Sequence, residues 1–327
     1  MRVTRIIAAG LLLLLALGVL AWLAFMPGHA QEHTKAGVTS TTRPALRIGL
    51  IPERDIFRQR KLYRALADYI GEKLHRRVEL VTASQYRGIL QDFAEKRVDG
   101  AFMGSLVTVL AADRMGVKIL ASPELDLKVK VYRGVLFVPE SSPVKRVEEL
   151  AGKSVVMARA TTGGGLYGVY VLSKHGLLGR ADAPKIVWCG SHDDAIYEVL
   201  DGNADAAVVK DLRLDDFEQN HRDKKMRRLE TGEGVPENAF VLRADLADEL
   251  GPRLREILLN MDKDERGREA LKVYGATRFE PCDITKYKAI FDMIEQLGGA
   301  WDQVGAGGLP PRRPAELMPA SATRGGR

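Results

Sequence analysis

Ser154-Val-Val-Met-Ala-Arg-Ala-Thr-Thr-Gly-Gly-Gly-Leu-Tyr-Gly-Val-Tyr-Val-Leu-Ser-Lys174 carries two periodicities joined by a run of small residues. Ser154–Ala158 reads as a buried strand, and the residues after Gly165 read as a helix reaching His175. A strand, a small-residue turn and a helix start present outward backbone N–H groups, backed by the positive end of the helix dipole. Thr161 and Thr162 add hydroxyl donors, while Gly163 and Gly164 let an anion approach the backbone. No lysine follows the glycines, so the turn is not a nucleotide P-loop. Taken alone, the stretch reads first as an ordinary N-cap with a flexible turn.

The same alternation extends in both directions. Upstream, Leu46–Ile51, Val78–Val81, Ala101–Met103 and Val117–Leu120 read as strands. Between them lie helices at Lys61–Leu74, from a Ser84 cap to Glu95, and from a Ser105 cap to Met115. This βαβαβαβ order predicts a parallel sheet covered on both faces. The pattern changes near Tyr132, where strands at Arg133–Val138, Ser154–Ala158, Ile186–Trp188 and Ala206–Val209 make a second unit. A strand at Ala239–Leu242 follows, then helices near 245–260, 262–273 and 283–297. The chain therefore reads as two α/β units, the second inserted in the first, with crossings near Tyr132 and Gly234. Lobe 1 is expected over 46–131 and 236–304, and lobe 2 over 132–235. Such folds bind ligands in the crevice at the carboxyl ends of their strands. There Gly190-Ser-His-Asp-Asp-Ala195 places His192 at a helix start, and Lys210-Asp211 follows directly on a strand. A capping Ser191 beside a surface histidine, and plain helix-start charges at 210–211, are the blander alternatives.

The 327 residues are 46% hydrophobic and 28% charged, which excludes disorder as the main state. The single long apolar run excludes a polytopic membrane protein. That run, Ile6–Met26, follows Arg2 and Arg5 and precedes Gly28-His29-Ala30. It reads as a signal peptide cleaved near Ala30, or as a retained N-terminal anchor; either places the body outside the cytoplasm, in the periplasm or its equivalent. Residues 1–30 are thus a leader, 31–45 a linker and 305–327 a disordered tail. The net charge is +6. Arg2 and Arg5 supply two of these charges. Arg312, Arg313, Arg324 and Arg327 against Glu316 supply three more, leaving the body at +1. No basic stripe for nucleic acid is expected on it. The six histidines and two cysteines show no metal-ligand spacing. Cys189 and Cys282 permit one bridge at most, with two free thiols as the default reading.

Several short elements, in order, resemble the phosphate/phosphite/phosphonate-binding periplasmic proteins of ABC importers. They are Ile51-Pro-Glu-Arg-Asp55, Ser84-Gln-Tyr86, Val98-Asp-Gly-Ala-Phe-Met-Gly-Ser105, Tyr132 before a strand, Ala160-Thr-Thr-Gly163, Gly190-Ser-His-Asp-Asp-Ala-Ile-Tyr197 and Gly202-Asn-Ala-Asp-Ala206. Val235-Pro-Glu-Asn238 and Asn260-Met-Asp-Lys-Asp264 add to them, so the likeness runs from about Leu46 to Gly298. It implies a type II periplasmic-binding fold of two lobes with the ligand cleft between them. In that family a Ser-Thr-Ser-Gly turn grips the oxyanion; here Thr161, Thr162 and Gly163 stand in its place. The resemblance further assigns ligand contact to His192, Tyr132, Tyr86 and Ser105, and an amine-facing position to Asp211. It implies a monomer that binds a small phosphorus oxyanion and meets an inner-membrane ABC permease, with no cofactor, no metal and no nucleic acid. A membrane-anchored sensor using the same cleft is the alternative function. An enzyme acting on phosphate esters would need a nucleophile-and-base pair or metal ligands, and the sequence offers neither.

Overall fold

The computed structural model describes residues 44–52, 56–83, 85, 88–126 and 129–318. The expected leader, nearly all of the expected linker, Ser84, Tyr86 and residues 319–327 lie outside the described residues.

The first half of the chain runs through β1 (Leu46–Leu50), α1 (Ile56–Leu74), β2 (Val78–Thr82), α2 (Gly88–Ala94), β3 (Gly100–Met103), α3 (Ser105–Met115) and β4 (Lys118–Leu125). A short ribbon strand, β5 (Val131–Tyr132), leads to β6 (Gly134–Pro139), β7 (Ser154–Ala158), α4 (Tyr167–Lys174), β8 (Lys185–Cys189), α5 (His192–Leu200), β9 (Ala206–Lys210), α6 (Asp211–Asn220) and β10 (Met226–Thr231). The chain returns through β11 (Val235–Pro236) to β12 (Ala239–Leu242), α7 (Ala247–Leu259), α8 (Glu265–Tyr274), β13 (Ala276–Pro281) and α9 (Lys288–Leu297).

Two sheets result. One has the order β13-β4-β12-β3-β1-β2, the other β10-β6-β9-β7-β8. The antiparallel pair β5 and β11 forms a separate ribbon where the chain passes between them. The first sheet departs from the all-parallel expectation. β1 is parallel to β2 and β3, but the returning β12 inserts antiparallel between β3 and β4, and β13 adds an antiparallel edge. The order of consecutive strands cannot reveal a strand that arrives more than a hundred residues later.

Strand alternation assigns each face. In the first sheet Leu46, Ile48, Leu50, Phe102, Phe240 and Leu242 pack under α1, α7 and α8, while Ala101, Met103 and Val241 meet α2 and α3. In the second, Leu136, Val155, Met157 and Val208 face α4, and Val135, Phe137, Val156, Ala207 and Val209 face α5 and α6. One cluster joins the halves: Phe291, Ile294 and Leu297 of α9, with Trp301, pack with Leu106 and Leu110 of α3 and with Leu166 and Val169 at the start of α4.

The stretch 305–318 differs from the expected disordered tail. The Trp301 indole donates to the Gly308 carbonyl, and the Arg114 guanidinium donates to the carbonyls of Gly307 and Leu309. Arg313 pairs with Asp292 and Glu295 and lies over the Phe291 ring. These partners come from α3, α9 and the turn after it, so the tail's own aperiodic composition does not reveal them.

Candidate functional site

The site is built where strands end and helices begin. After β7 the chain reverses at Ala160, whose φ of 57° lies in the left-handed region. A non-glycine residue there costs about 1 kcal/mol or more and persists only when its surroundings enforce it. The reversal aims Thr161 and Thr162 inward. Residues Thr162–Leu166 then form a π-type turn before α4, closed by Leu166 N–H donating to the Thr161 carbonyl at 2.9 Å.

The two threonines do different work. The Thr161 hydroxyl donates to the Ala158 carbonyl and accepts from Gly164 and Gly165 N–H, so it caps the turn rather than facing outward. The Thr162 hydroxyl reaches the other sheet's helices and accepts from Leu106 N–H at 2.8 Å, in the first turn of α3. Gly163 lies against the end of β9, where a Cβ would come within 3.0 Å of the Lys210 Cα.

Three more helix starts meet this turn. Gly104, not Ser105, is the N-cap of α3. The Ser105 hydroxyl instead donates to the Pro236 carbonyl at 2.7 Å, fastening α3 to the β5–β11 crossing, and accepts from the Tyr132 phenol at 3.4 Å. Ser191 caps α5 and leaves His192 as its first residue. Lys210 is the N-cap of α6. Gly104, Leu106, Val107, Tyr132, Ala160, Thr161, Thr162, His192 and Lys210 enclose a void of about 10 Å³. That is roughly the space of one water molecule, so a tetrahedral oxyanion enters only if the walls part. Each helix start carries about +0.5 of charge, and N–H donors that have no partner within their own helix.

The side chains complete a donor-rich wall. His192 Nδ1 accepts from Lys210 N–H at 3.3 Å, which leaves Nε2 as the protonated nitrogen of the neutral ring. Burial raises the Tyr132 phenol above its ordinary pKa, against the opposite pull of Lys210, Ser105 and Thr162, so it stays a neutral donor. Lys210 Nζ lies 4.4 Å from the Tyr132 ring centroid and 2.5 Å from Glu237 Oε1. This pair is almost completely buried, with side-chain exposures of 7% and 4%.

Of the residues singled out from sequence, the structure gathers Thr161, Thr162, Gly163, His192, Tyr132 and Ser105 around one point. Tyr86 lies outside the described residues. Asp211 is not brought there. Its carboxylate accepts from Arg133 N–H and from Leu212 N–H, and it does not line the void. Burial raises its pKa, opposed by those two backbone donors. Lys210 stands on the cleft side in its stead. Strand parity contains this signal: Val208 and Lys210 share one face of β9, and Val209 and Asp211 alternate to the other. Glu237 had only a place in a familiar-looking run.

Cys189 and Cys282 are both free. Among the described residues no cluster of three or more His, Cys, Asp or Glu could hold a metal, and no helix is long and apolar enough to cross a membrane. The Ile6–Met26 run lies outside those residues.

The profile of the family described as "ABC transporter, phosphonate, periplasmic substrate-binding protein" matches residues 48–287. The chain belongs to this family. It is 23% identical over 261 residues to the phosphonates-binding periplasmic protein of Escherichia coli, covering 77% of this chain and 74% of that one. It is 23% identical over 276 residues to the phosphate-import protein PhnD of Mycolicibacterium smegmatis, covering 79% and 82%. PhnD1 from Prochlorococcus marinus, solved in complex with methylphosphonate, superposes with a TM-score of 0.67 at 20% identity, over 78% of this chain and 98% of that one. The fold is accordingly the two-lobed type II periplasmic-binding architecture, and the family is one of solute-binding proteins, not enzymes.

Proposed function

We propose that this chain captures one small phosphorus oxyanion, such as phosphate, phosphite or an alkylphosphonate, between its two lobes and delivers it to an ABC permease. The observation that carries this reading is the convergence of four helix starts on one buried point, lined by Thr162, His192 and Tyr132. A buried anion needs many pre-aimed donors, and dipole-backed N–H groups with neutral side chains supply them without a net positive surface. That accounts for a body whose net charge is close to zero. Lobe opening and closing is the output, since entry requires the walls to separate.

In this reading residues 1–30 export the chain, 31–45 tether it, and the protein works as a monomer outside the cytoplasm. Residues 46–131 with 236–304 form one lobe and 132–235 the other. Titration calorimetry with phosphate, phosphite and methylphosphonate tests the proposal. One site per chain is expected for at least one of them. Absence of heat and of any thermal shift with all three would remove the ligand class.

A further inference from the structure

Tyr167, the first residue of α4, touches two regions of the molecule at once. Its backbone N–H donates to the carbonyls of Thr162 and Gly164, which fastens it to the turn that lines the void. Its ring reaches the other way, to the two places where the chain enters and leaves the second sheet. Gly134 opens β6 just after the ribbon strand β5, and Gly232 follows β10 just before the ribbon strand β11. A Cβ on Gly134 would lie 2.3 Å from the Tyr167 Cδ1, and one on Gly232 would lie 2.5 Å from its Cε2. No side chain fits at either position without displacing the ring. Neither glycine has a positive φ that would call for glycine on its own account, so the close approach of the ring is what both serve. Gly232 N–H donates to the Gly134 carbonyl at 2.9 Å, so the ring lies against two crossings already bonded to each other.

We propose that Tyr167 is a positioning residue for ligand capture. Its ring joins the oxyanion turn to the second-sheet end of both crossings, so that bending is confined to the β5–β11 ribbon and closure carries Thr162 to α3 in one fixed orientation. The inference rests on the oxyanion reading of the site.

The ring acts through packing. Tyr167 is 2% exposed, and its phenol oxygen is buried without a hydrogen-bond partner. The crossings are held on their other side by the end of β9. Gly134 pairs with Lys210 in the β6–β9 ladder, and Asp211 N–H donates to the Arg133 carbonyl. Arg133 and Gly134 therefore move with the second sheet, whereas β5 and β11 form a ribbon of only two strands. Such a ribbon is the pliable element that remains. The Thr162 hydroxyl then meets the first turn of α3 from a position set by the hinge as well as by its own turn.

The test compares Tyr167→Phe and Tyr167→Leu with the natural protein. Calorimetry reads affinity for phosphate, phosphite and methylphosphonate, and thermal unfolding reads stability. Tyr167→Phe keeps the ring and is expected to bind within about twofold of the natural protein, because no hydrogen bond is lost. Tyr167→Leu is expected to bind at least about tenfold more weakly at a temperature where it is fully folded. Phe137→Leu is the control: Phe137 packs on the opposite face of the same sheet, toward α5 and α6, and its variant is expected to lose stability with affinity unchanged. Undiminished affinity in folded Tyr167→Leu overturns the inference. So does an equal loss in Tyr167→Phe, which would assign the effect to the phenol oxygen, or in Phe137→Leu, which would assign it to any gap in the sheet's packing. If Tyr167→Leu does not fold, amide exchange in the natural protein decides. The tightest of the three anions is expected to slow exchange at Gly232 N–H by the same factor as at Tyr167 N–H; slowing at Tyr167 alone overturns the inference. If none of the three binds the natural protein, the oxyanion reading fails and this inference with it.

Discussion

At the scale of single residues, the two threonines of the β7–α4 turn separate into a capping group and a bridging group. Thr162 accepts a hydrogen bond from Leu106 N–H across the cleft and stands at the void. Thr162→Ala is expected to weaken methylphosphonate binding by about 1–3 kcal/mol, the cost of leaving a charged acceptor short of a donor. Calorimetry checks this, and unchanged affinity would take the residue out of the site. Gly163→Ala would push a methyl group against the Lys210 backbone, which cannot swing aside as a side chain can. A cost of about 1–3 kcal/mol is expected, read by thermal unfolding and by affinity together. The Cys189 thiol is pushed up to about 12 by burial and the nearby Asp194 carboxylate. It should react slowly with thiol reagents at pH 8 in the native protein and quickly once unfolded; equally fast reaction in both states would contradict the raised pKa. In the sequence His192 and Thr162 could be placed at the cleft because each follows a strand at the start of a helix, whereas Tyr132 and Ser105 were assigned there by the family resemblance. The sequence put both Lys210 and Asp211 at the cleft, and the strand parity that turns only Lys210 toward the void went unused.

At the scale of elements, helix starts do most of the organising, and their caps differ in strength. Asp264 caps α8 by accepting from Gly267 N–H at 2.7 Å, and it also accepts from the Tyr69 phenol and pairs with Lys73. Those contacts, the Gly267 N–H first, lower its pKa from 3.8 to about 2. A carboxyl whose folded pKa is depressed contributes stability that is complete above its unfolded value and is lost as pH falls toward the folded one. Asp264→Ala should cost about 1 kcal/mol at neutral pH. The difference between variant and natural protein should shrink as pH falls below 3.8 toward about 2. Urea melts at pH 7 and pH 2.5 measure both; a difference independent of pH would contradict the assignment. The strands and helices themselves were legible from period and punctuation. The insertion of β12 and the seating of 305–318 were not, because both depend on surfaces made by distant parts of the chain.

At the scale of the whole molecule, two sheets joined by the β5–β11 crossing carry their helix starts to a common point, and α9 packs on both halves behind it. Two lobes and a cleft could be read from the change of pattern near Tyr132 and the return near Gly234. The degree of closure could not, since it rests on contacts such as Thr162 to Leu106 N–H that cross between the halves. The net positive charge sits mostly in the two chain ends, and the case for an anion rests on oriented donors. A crystal structure of the protein with methylphosphonate tests this most directly. The account predicts the phosphorus between the first turn of α3 and the Thr162 turn, its oxygens within hydrogen-bonding distance of the Leu106 N–H, the Thr162 hydroxyl and the His192 ring. Phosphonate density elsewhere on the chain, with those donors still bonded to one another, would contradict it.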